Sequence, residues 1–407
     1  MWATFRSLAV PNYRRWAAGA FTSAIGNWMQ STAQSWVVLT ELTDNNALAV
    51  GVTTALQFLP QIVLVPLSGY LADRFDKRRI IFATQSSFLV LGVLLGVLLL
   101  TGHATVELLY AFALCNGIAS AIESPSRLSI ANELVPPTHL SNAVGLNGAS
   151  FHAARLVGPA AAGLIIAGVG DGWVFIVNGF FFLGMLFALT RIRGSELLRA
   201  PRMTGTRRSA AFTDGFRYVW AHPDLMAVFL MAFLLGAFGW NLPIFAATMS
   251  VEFGEGAGNY GVLSSVVAIG SLSGALFAAR AERPRLRRMV IGMALFGLGA
   301  ALASVMPSFW AFAAMLVIVG FALPLSLSTA NSWVQLSTDA AVRGRVIAIY
   351  FAVSTAGIPL GALVIGWMAD GFGPRWPIAL GAAAGLLAAL IGLWWFGLRH
   401  RLQARAA

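Results

Sequence analysis

Ionisable side chains are costly inside runs of apolar residues, so the few that occur there are the first candidates for chemistry. The apolar run from Val106 to Ile130 contains Glu123 and, four residues on, Arg127. Glu123 lies about eight residues, or roughly 12 Å at 1.5 Å per residue, from the nearer end of a helix built on that run. The run from Leu140 to Ala167 contains Arg155 near its middle, with His152 three residues before it. At such depth desolvation favours a neutral carboxyl and a nearby arginine favours a charged one, so its protonation can follow changes in its surroundings. The chemistry would be proton coupling, with Glu123 as the carrier and Arg127 and Arg155 as its electrostatic partners. At this spacing Glu123 and Arg127 can equally form a permanent intrahelical ion pair that only neutralises charge. Arg155 can join that static network or attract an anionic group of a ligand. His152 by itself reads as a packed polar residue.

Uncharged polar residues recur at helical spacing in the same kind of run. Asn27, Gln30 and Gln34 share one helix face, as do Gln57 and Gln61, and as do Asn331 and Gln335. Asn147 and Asn241 add further polar points, and Trp28, Trp36 and Trp240 lie nearby in sequence. A cavity lined by amides, aromatic rings and few charges suits a bulky amphipathic molecule better than a small ion. The same amides can also bond helix to helix with no ligand present.

Other chemistries find no support. Cys115 is the single cysteine, so neither an intrachain disulfide nor a cysteine metal cluster can form. No HExxH helix and no phosphate-cradling loop with lysine occurs, and neither a metal nor a cofactor is expected. The string GVGD, Gly168 to Asp171, has the short pattern of membrane aspartyl proteases but lacks a second acid in a tyrosine–aspartate pair. The chain is therefore expected not to be an enzyme, and energy for any transport must come from a gradient or a partner.

The elements that must position these residues are membrane helices. Of the 407 residues, 58% are hydrophobic and 11% charged, about half the charged share of a soluble domain. Lipid is the natural solvent for such a surface. Spanning the hydrocarbon takes about 20 helical residues, and about twelve segments qualify. They run from about Trp16 to Leu39, Ala47 to Ala72, Ile80 to Leu100, Val106 to Ile130, Leu140 to Ala167 and Trp173 to Leu189. The rest run from Leu225 to Val251, Gly258 to Ala279, Met289 to Met306, Phe309 to Leu336, Val346 to Ala369 and Trp376 to Leu398. The opening MWATFRSLAVPNYRRW is polar and basic with no small-residue cleavage site after it, so the first helix is expected to be retained.

Basic residues give the orientation. Arg6, Arg14 and Arg15 precede the first segment; Arg74, Lys77, Arg78 and Arg79 follow the second. Arg191, Arg193, Arg199, Arg202, Arg207, Arg208 and Arg217 follow the sixth, and Arg280, Arg283, Arg285, Arg287 and Arg288 the eighth. Arg343 and Arg345 follow the tenth, and Arg399, Arg401 and Arg405 the last. With this alternation all of them share one side, which puts both termini in the cytoplasm. The opposite loops carry Glu41, Asp44, Glu107, Asp171, Glu252 and Glu255, with Arg375 the basic exception. The net charge of +11 thus sits in loop clusters; no aromatic-interleaved stripe for nucleic acid is present.

The longest polar stretch follows the sixth segment and divides the chain into residues 1–190, a linker at 191–223, and residues 224–407. Gly158 and Pro159 have Ile358 and Pro359 at one offset, and Trp173 has Trp376 near it. Gly51, Lys77 and Arg78 have Gly261, Arg287 and Arg288 at a similar one. Two six-helix halves with a ligand site between them near mid-membrane are a known transporter plan.

The loop GYLADRFDKRR, Gly69 to Arg79, resembles the signature of the major facilitator superfamily. That resemblance implies an all-α membrane fold of twelve helices in two pseudo-symmetric halves. It implies a gating role for Gly69, Asp73, Arg74, Lys77 and Arg78, with Asp73 meeting the N-terminus of the eleventh helix near Arg345. Gly69 is expected to let two helices approach closely. Asp76 stands where many members have glycine, and is expected to tolerate a left-handed turn. ARLVGPAAAG, Ala154 to Gly163, is similar to the family's antiporter motif, with alanine at two of its glycine positions. There Pro159 frees the carbonyl of Arg155, while Gly158 and Gly163 admit a facing helix. With FRYVWAHPDL from Phe216 and VRGRVIAIYF from Val342, the pattern resembles the drug and siderophore exporter branch, which includes macrolide and enterobactin exporters. The implied protein is a monomeric, proton-coupled antiporter in a bacterial inner membrane that exports amphipathic small molecules. Proton-coupled uptake or lysolipid flipping on the same fold is the alternative.

Overall fold

The computed structural model describes residues 5–198, 208–280, 285–339 and 342–406, with side chains at all of them except 208–214, 279 and 398–406. Arg199, Arg202, Arg207 and Arg283 of the orienting clusters lie outside the described residues. Among the described residues every regular element is a helix. After a 3-10 turn at Arg6–Ala9 come α1 (Pro11–Thr40), α2 (Ala47–Val63), α3 (Val65–Arg74), α4 (Lys77–Leu100) and α5 (Val106–Ser129). Then follow α6 (Ala131–Leu134), α7 (Pro137–Val169), α8 (Asp171–Arg191), α9 (Arg208–Ala221), α10 (Pro223–Gly239) and α11 (Leu242–Glu252). The last are α12 (Ala257–Ala279), α13 (Leu286–Ser304), α14 (Phe309–Ser337), α15 (Arg343–Phe372) and α16 (Arg375–Ala406).

Among the described residues ten helical stretches are long and apolar enough to cross a membrane, and α2 with α3 forms an eleventh if the bent pair is one span. With α1 the total matches the expected twelve. α1 has the length, at 30 residues, but amides and hydroxyls dilute its apolar character. Most of those polar groups are covered by protein: Ser23, Gln30, Thr32, Gln34 and Ser35 are buried, while Asn27 is exposed.

Local chemistry sets the helix ends. Asn46 and Thr105 accept hydrogen bonds from Ala49 N (2.9 Å) and Leu108 N (3.4 Å), capping α2 and α5. Pro lies in the first turn of α1, α7, α10 and α11, where its missing N–H is no loss. The segment expected as one span from Ala47 to Ala72 is instead two helices bent by 58° at Leu64. Pro66 is the reason, since its ring cannot donate to the carbonyl of Ile62 and clashes with it. The span from Leu225 to Val251 likewise breaks at Trp240 and Asn241, ahead of Pro243. Asn241 Nδ2 donates to the Ala237 carbonyl at 2.7 Å, partnering a group the break would strand, and to the Ile358 carbonyl of α15 at 3.4 Å. The stretch read as a linker also holds α9, which packs on α15 where Gly215 meets Arg345 and Ile349.

The chain forms two compact units. Unit 1 comprises residues 1–49, 56–203 and 255–265; unit 2 comprises 50–55, 204–254 and 266–407. In unit 1, α1 packs on α7 and α8, and α4 on α5 and α8. Tyr13, Trp16, Ile81, Met185 and Leu189 fill one part of its core with almost no exposure. In unit 2, α13 packs on α14 and α16, and α10 on α15 and α16. Small residues make these contacts close. A Cβ on Gly158 would stand 2.7 Å from Trp28 Cβ, and one on Gly357 would stand 2.7 Å from Ala237 N.

The internal repeat has a structural counterpart. α7 and α15 each contain a proline, Pro159 and Pro359, and each ends at a glycine of positive φ, Gly170 (98°) and Gly373 (99°). Gly51 at the start of α2 abuts the Ala362 carbonyl of α15 within unit 2. Gly261 at the start of α12 abuts the Pro159 carbonyl of α7 within unit 1. The paired glycines thus make paired contacts.

A methyl group at Gly361 would overlap the Ala237 carbonyl, whereas one at Gly371 on the same helix meets open space. Gly361→Ala is expected to lower the unfolding temperature in detergent by about 5 °C or more, and Gly371→Ala to leave it within about 1 °C. Thermal unfolding of the purified variants checks this.

Candidate functional site

The ionisable pair named by its spacing lies inside unit 1. Glu123, on α5, is 4% exposed. Its Oε1 accepts from Arg127 Nη1 at 2.8 Å and from Gln85 Nε2 at 3.0 Å. Its Oε2 accepts from Thr84 Oγ1 at 2.7 Å and from Gln85 Nε2 at 2.9 Å. One helical turn on, Arg127 donates through Nη2 to the Ala20 carbonyl (3.1 Å) and to Ser23 Oγ (3.0 Å) on α1. One carboxylate and its arginine thereby tie together α1, α4 and α5. Spacing alone located the ion pair; Thr84, Gln85 and Ser23 were not foreseen. The sequence signal for the first two was a polar stretch, Thr84 to Ser87, inside the apolar run of α4.

Beside the pair is a cavity of about 600 Å³, within the usual range for ligand pockets. Glu123 and Arg127 line it together with Asn27, Trp28, Gln61, Asn147 and Phe151. Trp28 and Phe151 meet edge to face at 5.6 Å. Arg155 does not line the cavity; it is buried behind it, with its guanidinium over the Trp28 ring at 5.1 Å. His152 packs edge-on to Phe151. Among the described residues no group of three or more His, Cys, Asp or Glu side chains could hold a metal ion.

The remaining amides go elsewhere. Gln30 is buried and accepts from Asn178 Nδ2 at 2.7 Å, a bond from α1 to α8. Gln34 is also buried, and neither of its amide atoms finds a partner among the described residues. Gln57 is half-buried on α2. In unit 2, Asn331 and Gln335 bond each other at 3.2 Å, and Trp240 and Asn241 form the break between α10 and α11.

The loop read as a gate departs from expectation at two residues. Gly69 has no atom within 4 Å of where a Cβ would stand. α3 packs through the neighbouring face, where Ser68 and Ala72 are buried, so Gly69 admits no facing helix. Asp76 adopts an extended conformation (φ −67°, ψ 119°) and caps α4 by accepting from Arg78 N at 2.9 Å; no left-handed turn occurs there. Lys77 pairs with Glu133 at 2.8 Å, and Arg74 donates to the Tyr70 hydroxyl and lies over its ring. Asp73 is exposed and Arg78 half-buried. In the motif on α7, Gly158 receives Trp28 and Met29 of α1, and a Cβ on Gly163 would stand 2.7 Å from the Ala257 carbonyl of α12. The close packing expected of that motif is present.

A bundle of apolar helices holding a buried carboxylate paired with a half-buried arginine beside an amide-lined cavity is the build of a membrane transporter, and its fold is that of the major facilitator transporters. A solved D-xylose–proton symporter superposes with a TM-score of 0.72 at 17% identity, covering 95% of this chain and 97% of that one. The chain belongs to the transmembrane secretion effector family, whose family model matches residues 2–405. It is 24% identical to the staphyloferrin A transporter of Staphylococcus aureus, covering 88% of this chain and 89% of that protein. It is 24% identical to the multidrug efflux pump Tap of Mycolicibacterium fortuitum, covering 87% and 88%. It is 23% identical to the enterobactin exporter EntS of Shigella boydii, covering 84% and 82%. The resemblance to the drug and siderophore exporter branch thus extends over most of the chain.

Removing one partner of a buried ion pair strands the other, at a typical cost of about 3–5 kcal/mol, whereas removing both costs less. Arg127→Met is therefore expected to lower the unfolding temperature more than the double variant Glu123→Gln, Arg127→Met, in paired thermal unfolding measurements. Gly69→Ala should leave it within about 1 °C, since the added methyl meets nothing.

Proposed function

We propose that the protein is a proton-coupled antiporter that exports amphipathic small molecules by alternating access. It would reside in the bacterial inner membrane as a monomer, with both termini in the cytoplasm. The observation that carries this reading is Glu123, a buried carboxylate bonded to Arg127 and lining a cavity of about 600 Å³. Asn27, Gln61 and Asn147 would supply hydrogen bonds to the cargo, and Trp28 and Phe151 apolar surface. The transport named for the siderophore and multidrug relatives supports export of bulky organic molecules over small ions.

In this reading a proton on Glu123 discharges the ion pair. Arg127 then keeps its α1 partners, Ala20 and Ser23, but loses its attraction to the carboxylate. The cross-tie between helices weakens, and the relative free energies of the open states change. A proton moves such an equilibrium only through its differential affinity for the two states, and a carboxylate with four bonds in one arrangement provides that difference. The loop from Gly69 to Arg79 would gate the cytoplasmic side, and residues 1–190 and 224–407 would act as the two halves joined by the linker.

Inverted membrane vesicles with an imposed pH gradient provide the test. Adding a panel of amphipathic fluorescent compounds is expected to release protons through the wild type, and Glu123→Gln is expected to abolish that release. Gradient-driven transport that persists unchanged in Glu123→Gln would assign the carboxylate a purely structural role and sink the proton-carrier reading.

A further inference from the structure

The groups around Glu123 differ in what they can do when the carboxyl takes up a proton. A guanidinium only donates, so Arg127 can bond an accepting oxygen of Glu123 but can never accept from its O–H. A hydroxyl and a primary amide can each donate or accept. Of the four contacts to Glu123, Thr84 makes one and Gln85 two, all three from α4.

Thr84 has one hydroxyl hydrogen and three acceptors in reach: Glu123 Oε2 at 2.7 Å, the Ile81 carbonyl at 3.1 Å and the Ile80 carbonyl at 3.2 Å. With Glu123 charged, the hydrogen points to Oε2. With Glu123 protonated on Oε2, the hydrogen can turn to Ile81 and the Thr84 oxygen accepts from the new O–H. Gln85 shows the same duality from another side. Its Nε2 serves both carboxylate oxygens, while its Oε1 is buried with no hydrogen-bond partner among the described residues. An amide flip would bring that oxygen to accept from a carboxylic acid, and orphaned buried acceptors of this kind are costly to leave unused.

We infer that Thr84 and Gln85 form a two-way cradle that keeps Glu123 hydrogen-bonded in both protonation states and so lets it exchange protons without unpacking α4 from α5. This rests on the proton-carrier reading of Glu123 and assigns the two α4 residues a positioning role within it. In each cycle one O–H bond forms at Glu123 on proton uptake and breaks on release. Thr84 and Gln85 keep their own hydrogens and only reorient them.

The test compares Thr84→Val, which keeps the shape and removes the hydroxyl, with Thr84→Ser, which keeps the hydroxyl and removes the methyl; Gln85→Leu removes the second arm. Proton release in inverted vesicles is recorded as a function of pH alongside thermal unfolding. Wild type and Thr84→Ser are expected to share one pH profile. Thr84→Val and Gln85→Leu are expected to release protons about tenfold more slowly, with a profile displaced by about one pH unit, which is the size expected for losing a bond to a charged group. Should Thr84→Val fail to fold, Thr84→Ala stands in, with the same expectation. An unchanged rate and profile in both Thr84→Val and Gln85→Leu, with Glu123→Gln inactive, would overturn the cradle and leave the proton carrier standing. Equal loss in Thr84→Ser and Thr84→Val would assign the effect to the methyl group and also overturn it. Unchanged release in Glu123→Gln would remove both readings together.

Discussion

A carboxylate inside a helical bundle must be bonded on every side or be neutral, and the arrangement of unit 1 follows from that requirement. Glu123 draws its partners from two helices, and Arg127 passes the connection to a third. The cost of burying charge is met by geometry: four bonds to one carboxylate and three from one guanidinium, at separations of 2.7 to 3.1 Å. Such an assembly holds α1, α4 and α5 in one register, because moving any of them leaves a buried ion short of partners.

The surrounding helices obey the same accounting for backbone groups. Apolar surroundings offer no water to a stranded carbonyl, so each break in a long helix needs a partner close by. At the break after α10, Asn241 supplies one. Where helices run unbroken, glycine lets backbones touch: Gly158 against Trp28 and Met29, Gly361 against Ala237, Gly261 against Pro159. These contacts replace the hydrophobic driving force that lipid does not provide between helices. The polar helix α1 belongs to the same logic, since Ser23, Gln30, Thr32, Gln34 and Ser35 are buried within the protein.

Much of the site was legible before any coordinates. Glu123 and Arg127 are one turn apart on a single helix, and that distance is a property of the helix itself. Thr84 and Gln85 were not legible because they reach Glu123 from α4, and no periodicity within α4 says which neighbour its polar face meets. The amides separated in a similar way. Asn27, Gln61 and Asn147 came together at the cavity, whereas Gln30 was taken up by Asn178 and Asn331 by Gln335. Gly69 and Asp76 show the limit of a motif read as letters. The same residues are present, but the bend at Leu64 and the packing of α3 through Ser68 and Ala72 give them other tasks.

By itself the sequence determined the helical membrane class, the approximate positions of the spans and the ion pair. Hydropathy, helical rise and i to i+4 spacing are local, and need no knowledge of what lies across the bundle. Only the tertiary structure decided which polar groups enclose the carboxylate, where the long segments bend, and which small residues stand against a neighbouring backbone. Those outcomes depend on which helix faces meet, and the same local pattern is compatible with many pairings until packing selects one.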